Sequence, residues 1–432
     1  MVLVSGYGIS KVPKKPETKD EWLMFFAHCH DGWKQAQSEI ADFLIDALMR
    51  QAEAQARKKE EHRQRNKVAQ RQASVKAKQV NLEIAVARRM LDVILWTIFA
   101  GDHSTLRRLI IKDGEHSLSK ENIIVAMMEA QQFNKNPQVM ALSTDMLSLV
   151  HIGDLILANL EEGNIQFLEL KSGAKNIAIT EIADFAVRSK CEFFDYLATE
   201  KYDRIDKKHY LRAKRQIKRN AMIMSTIHNG SGTDPNTGAR VVINKTSESP
   251  EFWSDRITRC YERLTQEKKW AVDVIDDCVY LGVYSDQSIA FAGFQTWMNI
   301  RKCESPIFNL TDSFHFPSVR PLGATLLPET LRLEIFRGDI LVIMCLDILK
   351  FIELGNKDHP GSMRLATKSE AAKLRAHRIS SLMINGRFVS LSAGGEVTFL
   401  GAGIRDRILF DQHYPKQLLK QYYFDSPINH IK

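Results

Sequence analysis

Residues 33–100 intersperse apolar with polar positions without a single Gly or Pro, and the stretch predicts one long helix. Gly101 closes it, and a shorter helical piece over residues 103–111 carries the basic pair Arg107-Arg108. Ser119 stands as an N-cap for KENIIVAMMEAQQF, which Asn136-Pro137 ends. There the period changes from helical to alternating. Residues 138–142, 147–157 and 165–170 predict three short strands, the last two joined as a hairpin through Glu161-Glu162-Gly163-Asn164.

Helical spacing returns over residues 180–199 and 204–224, and GSGTDPNTG at 230–238 is loop-like. A further helix is expected from Ser249-Pro250-Glu251 to about Asp276, then a strand over residues 278–284. Beyond Asp286, short apolar runs alternate with turns such as Asn385-Gly386 and Gly394-Gly395, and two hairpins are expected within residues 380–400. The succession predicts an α/β fold, a small mixed sheet flanked by helices, with a mixed α+β C-terminal domain. The expected divisions are a basic helical region at 1–110, a sheet-containing domain at 111–285 and a C-terminal domain at 286–432 whose role is not legible.

Charge sharpens this picture. The 432 residues hold 60 Lys and Arg against 52 Asp and Glu, a net +8 that leans toward a polyanionic partner. Residues 50–89 contain twelve Lys or Arg and four Glu, so their excess equals that of the whole chain. Two readings stay open: a solvated helical or coiled-coil arm, and an arm that faces nucleic acid. Apolar positions between Lys59 and Lys78 are too sparse to predict a heptad seam. Residues 200–219 form a second cluster of nine basic and three acidic side chains, with His209 and Tyr210 among them.

No apolar run approaches the ~20 residues that span a bilayer, and the opening MVLVSGYGISKVPKKP lacks the pattern of a secretory leader. Six scattered cysteines without a CxxC pair fit reduced packing residues of a cytoplasmic protein.

The chemistry concentrates in HIGDLILANLEEGNIQFLELKSG, residues 151–173. Asp154 falls on one strand of the expected hairpin, Glu169 and Lys171 on the other. Alternation puts Glu169 and Lys171 on one face, with Leu168 and Leu170 turned into apolar packing. Paired carboxylates offer oxygen ligands to a hard cation, and a neighbouring ammonium can orient a water and offset charge on a phosphate. An acid-x-Lys triplet alone means little, because the chain has four; only Glu169-Leu170-Lys171 lies on an apolar strand facing an upstream Asp. The alternative is a surface hairpin whose outer face is simply charged.

Asp154 followed by Glu169-Leu170-Lys171 resembles the active site of the PD-(D/E)xK nuclease superfamily, which includes restriction endonucleases and DNA-repair and anti-phage nucleases. Gly153 stands where a Pro is usual. The resemblance covers about residues 119–284. It implies a restriction-endonuclease-like core and a Mg²⁺- or Mn²⁺-dependent endonuclease, acting on DNA in preference to RNA, in bacterial restriction or phage defence. It also implies Asp154, Glu169 and the backbone carbonyl of Leu170 as metal ligands, and Lys171 as the residue that positions the attacking water. Gln216 on the following helix would be a further polar group of the site. Glu129 is the best-placed upstream acid, with Glu83 and Asp145 behind it. The basic residues Lys208, Arg212, Lys214, Arg215 and Arg219 would contact nucleic acid, and a homodimer is expected because two strands must be cut.

Other candidates fade. Residues 337–341 and 351–355 imitate the hairpin through Asp339 and Glu353 but have Gly355 where the lysine should be. His28-Cys29-His30 lacks a second ligand pair, and no phosphate-binding or dinucleotide motif occurs. An RNA-cleaving enzyme on the same scaffold and a non-catalytic nucleic-acid-binding scaffold both remain as alternatives.

Overall fold

A computed structural model describes residues 18–99, 103–106, 109–110, 118–150, 152–159, 162–170, 174–190, 192–201, 204–233, 240–242, 251–376, 381–393 and 396–420. The chain divides into two compact units that meet near Ile243 and Asn244 in the sequence. Helices and small sheets alternate, and every strand pairing among the described residues is antiparallel, where a mixed sheet was expected.

The first unit begins with α1 (Lys19–Arg63), opened by a capping box between Thr18 and Glu21. It is followed by α2 (Lys67–Ile98). The single helix expected over residues 33–100 is therefore broken. Arg65 adopts a left-handed φ of 57°, and the Asn66 side chain accepts the amide of Ala69 at 3.2 Å to start α2. Such a reversal needs no Gly or Pro, because a polar residue can enter the left-handed region for a single step. The two helices bury Ala47 and Ala54 on α1 and Ala73, Val80 and Ala87 on α2, each series in steps of seven. Four of these five positions are alanine, which carries little hydrophobic signal in the sequence. Arg50 Nη1 reaches Glu83 Oε2 at 2.6 Å, and Gln51 pairs with Asn81 at 2.6 Å across the hairpin.

A single turn, α3 (His103–Leu106), and α4 (Lys120–Phe133) lead into the sheet β1 (Val139–Ser143), β2 (Leu155–Asn159) and β3 (Asn164–Leu168). The order is β1-β2-β3, with Val139 opposite Asn159 and Leu155 opposite Leu168. The strand expected from residue 147 begins only at 155. The apolar residues of that stretch serve a buried connection: Met146, Leu147, Leu149, Val150 and Ile152 are all inaccessible.

Among the described residues no further strand pairs with the outer edge of β1. Side chains seal it instead. Gln37 of α1 donates to the carbonyl of Ala141 at 3.0 Å and accepts from Ser143 N at 2.9 Å. Asn134 brackets Ala141 through both its amide and its carbonyl, and His30 Nε2 donates to the carbonyl of Val139 at 2.9 Å. These neighbours occupy His30, and burial lifts the Cys29 thiol to about 11, so neither is set up as a metal ligand.

Helices α5 (Ala174–Ser189), α6 (Glu192–Lys201) and α7 (Arg204–Asn229) follow, then the short pair β4 (Ser231–Thr233) and β5 (Arg240–Val242). The helix expected over 180–199 is two helices, parted at Lys190 with φ 51°.

In the second unit α8 (Ser254–Glu262) is shorter than expected, and the apolar residues after it form β6 (Trp270–Ile275). The chain reverses where Thr265 N donates to the Lys268 carbonyl at 3.0 Å, and the β-branched Val272, Val274 and Ile275 then pair with β7 (Val279–Tyr284). The remaining elements are α9 (Gln287–Ile300), β8 (Ile307–Asn309), α10 (Glu329–Arg337), β9 (Leu341–Leu346), α11 (Ile348–Asp358), β10 (Met363–Leu365), α12 (Lys368–Ala376), β11 (Met383–Ile384), β12 (Arg387–Ala393), β13 (Glu396–Phe399), α13 (Gly403–Leu409) and α14 (Pro415–Leu419). One sheet runs β6-β7-β9-β8, and β12 is flanked by β10, β11 and β13. Because β7 pairs with β9 over six residues, Val279 to Tyr284 belong to this unit and not to the domain expected to end at 285. The imitation hairpin disappears too: α11 starts directly after β9 and puts Glu353 on a helix, where it pairs with Lys350.

A buried charge network ties α2 to the connection before β2. Arg89 Nη1 meets Asp92 Oδ2 at 2.8 Å with both side chains almost inaccessible (2% and 0%). Asp92 also accepts the amide of Ser148 at 3.0 Å and its hydroxyl, while Arg88 donates to the Leu147 carbonyl. Removing one partner of such a network leaves the other charge buried. Asp92→Ala is expected to destabilise the first unit by about 3–5 kcal/mol in denaturant unfolding. A loss below about 1 kcal/mol would show that Arg89 and Ser148 find other partners.

Candidate active site

The site is built where β2 and β3 extend past their last regular pair. Asp154 N donates to the Leu168 carbonyl at 2.8 Å, and Leu170 N returns to Asp154 Oδ2 at 2.6 Å. Thr144, just after β1, fastens the same point: its amide donates to the Asp154 carbonyl at 3.0 Å and its hydroxyl to the Gly153 carbonyl at 2.5 Å. Leu168 and Leu170 pack against a core of Ala126, Ala130, Ala141 and Leu155. Glu169, between them, faces the other way and lines a cleft of about 300 Å³ together with Asp154.

Gly153 is required here by its backbone. Its φ is +66°, and a Cβ would lie 2.9 Å from the Leu168 carbonyl oxygen. A Pro could not be accommodated at such a φ, since Pro is held near −65°.

Helix α7 closes the cleft with His209, Arg212, Ala213 and Gln216, spaced so that all four share one face. Gln216 Nε2 donates to Glu169 Oε1 at 2.8 Å. Asn176, Ile179 and Thr180 of α5 and Asn122 at the start of α4 complete the lining. The acidic wall contains a third carboxylate, Asp145, half-buried in the connection after β1. Burial lowers the Arg88 pKa, and the charges of Asp92 and Asp145 oppose that shift.

The structure thus brings Asp154, Glu169, the backbone of Leu170 and Gln216 to one cleft; Lys171 lies outside the described residues. It does not bring Glu129 there. Glu129 is exposed on α4, two turns beyond Asn122, which does line the cleft. Glu83 is held by Arg50 across the helical hairpin. Of the three upstream acids, only Asp145 shares the lining. It sits in the stretch whose pattern predicts a simple turn between strands, so nothing in the spacing favoured it. His209, Asn176 and Thr180 carried no motif at all, although helical periodicity from Gln216 leads back to Arg212 and His209.

The basic residues of α7 separate into two groups. Lys208, Arg212, Arg215 and Arg219 follow steps of four, three and four residues and form one stripe beside the cleft face. Lys214 is on another side, where it pairs with Asp195 of α6 while the Tyr210 hydroxyl donates to the same carboxylate at 2.6 Å. Those two bonds hold the Asp195 carboxyl below the usual carboxylate range. Lys214 is thus engaged by Asp195 and stands apart from that stripe.

The carboxylate residues that line the cleft are Asp145, Asp154 and Glu169, with Leu170 and His209 beside them. Among the described residues no three His, Cys, Asp or Glu side chains converge as a ready metal group. A donor set of that kind suits a hard cation that keeps several waters, and it excludes none of the chemistry expected from the sequence. Compared with protein-family models, curated proteins and solved structures, the chain matches none.

Gly153→Ala is expected to cost about 1–3 kcal/mol through its backbone conformation and the contact with Leu168. Gly163→Ala, at the same positive φ with nothing within 4 Å, supplies the conformational penalty alone. Thermal unfolding should show the larger loss at Gly153; equal losses would mean that the close approach to Leu168 contributes nothing.

Proposed function

We propose that this chain is a metal-dependent nuclease with a restriction-endonuclease-like core, hydrolysing phosphodiester bonds in DNA in preference to RNA. The observation that carries the reading is the shared cleft of Asp154 and Glu169, with Gln216 bonded to Glu169 and the basic stripe of α7 alongside. Mg²⁺ or Mn²⁺, held by Asp154, Glu169 and the Leu170 carbonyl, would supply Lewis acidity toward the phosphate and a more acidic water.

The chain's own groups have separate tasks. Asp154 is oriented by the Leu170 amide, so one carboxylate oxygen is fixed before any ligand arrives. Gln216 fixes Glu169 in the same way and keeps an amide oxygen and a second N–H for a water or phosphate oxygen. Lys171 orients the attacking water. Arg212, in the cleft lining, offers a bidentate cation to the phosphate that the carboxylates by themselves would repel. The neighbouring stripe holds the rest of the strand by charge neutralisation.

Purified full-length protein should cut plasmid DNA in Mg²⁺ and not in EDTA. Asp154→Asn, Glu169→Gln and Lys171→Ala should each lower the rate by about a hundredfold or more, with circular dichroism unchanged. Cutting of RNA alone would move the substrate assignment, and cutting that survives Lys171→Ala would remove the site assignment. Salt-sensitive binding without turnover would favour the scaffold reading.

A further inference from the structure

Two cysteines touch in the core of the second unit. The sulfurs of Cys303 and Cys345 lie 3.6 Å apart, although 42 residues separate them along the chain. Cys345 sits within β9, opposite Tyr280 of β7 on one side and Ile307 of β8 on the other. Cys303 is held just past α9, where its amide donates to the Met298 carbonyl at 3.0 Å and Lys302 turns through a left-handed φ of 56°. The Cys345 thiol also donates to the Ser305 carbonyl at 3.6 Å, and the Ser305 hydroxyl accepts the Ile348 amide at 3.1 Å, so residues 303–305 are laid against β9. Both thiols are buried (7% and 0% exposed), but Lys302 and Glu304, on either side of Cys303, are exposed. One sulfur thus belongs to a strand paired on both edges, the other to an irregular segment one residue from solvent.

We propose that Cys303 and Cys345 are an oxidation site, a dithiol that peroxide converts to an intramolecular disulfide stapling the end of α9 to β9. A disulfide brings its sulfurs to about 2.05 Å, so the observed contact has to close by about 1.5 Å. The irregular segment around Cys303 can supply that movement while the sheet stays in place. In the first step the Cys303 thiolate attacks one peroxide oxygen; the O–O bond breaks, and the leaving hydroxide takes up the proton that Cys303 released. The Cys345 sulfur then attacks the sulfenic acid: the S–S bond forms as the S–O bond breaks, and the Cys345 proton leaves with the hydroxyl as water. The two thiols lose two electrons between them, and one peroxide becomes two waters. The pair is inequivalent in the direction this order needs. Contact with Cys345 outweighs burial and lowers the Cys303 pKa, whereas contact with Cys303 and burial raise that of Cys345. Burial alone, as at Cys29, raises a thiol and leaves it unreactive. The bond would close the chain between the two cysteines, with β8 and α10 inside it, into one loop.

The test treats the full chain with hydrogen peroxide under native conditions and digests it without reduction. Two of the six thiols should disappear, and one peptide pair joining Cys303 to Cys345 should account for them. The intact mass should fall by about 2 Da, the two hydrogens lost, and recover in dithiothreitol. The oxidised protein should melt about 5 °C or more above the reduced one, because the bond closes a long loop of the unfolded chain. Cys303→Ala should form no bond, and Cys260→Ala should behave as the wild type. Six intact thiols after exposure, a bond joining any other pair, or sulfinic acid on Cys303 in place of the bond overturns the site. A bond that forms only in urea also overturns it, since the folded contact would then play no part. An unchanged melting temperature overturns the staple. No residue of the cleft takes part, so the result is independent of nuclease activity.

Discussion

One crossing of backbone governs the site: the Asp154 amide reaches the Leu168 carbonyl, and the Leu170 amide comes back to the Asp154 carboxylate. The first bond is an ordinary ladder contact. The second is charge-assisted, and it spends part of a carboxylate on local order. Between them Glu169 has a single facing, away from the leucines and into the cleft. Gly153 allows the crossing by letting two backbones come within contact distance. The same few atoms thus specify the end of a hairpin and the position of both acids.

Around this crossing, the unit is held by polar ties between distant parts of the chain. Asp92 near the end of α2 grips Ser148, and Thr144 grips Gly153, so the irregular connection between β1 and β2 is pinned at both ends. That connection carries Asp145. Its placement in the acidic wall is a consequence of the helical hairpin's buried charges as much as of the sheet.

Much of this was legible from residue pattern, and the failures have definable causes. Alternation in the 165–170 stretch correctly separated Leu168 and Leu170 from Glu169, because a half-buried strand forces period two. The hairpin turn and the helix carrying Gln216 were equally plain. The break at Arg65 was hidden since neither Gly nor Pro marks it, and the buried alanines of α1 and α2 were hidden since small residues carry little hydrophobic signal. Met146, Leu147, Leu149, Val150 and Ile152 imitate a strand because they are apolar; they are apolar because they are buried in a connection. Trp270–Ile275 was read as helix for want of a turn signal stronger than Thr265–Lys268. Glu129 was favoured over Asp145 because sequence order cannot tell which acid a buried loop will deliver to the sheet.

The amide-sealed edge of β1 gives the first unit's sheet a polarity. With Gln37, Asn134 and His30 bonded to outward-facing groups of Val139, Ala141 and Ser143, no extended segment can be added on that side without unseating these three side chains. Among the described residues β3 pairs with β2 alone. Enlargement of this sheet, by an inserted loop in a divergent relative or by a swapped segment, is therefore confined to the β3 margin, so evolution can remodel the hairpin that bears Glu169 while the helix-facing margin stays closed.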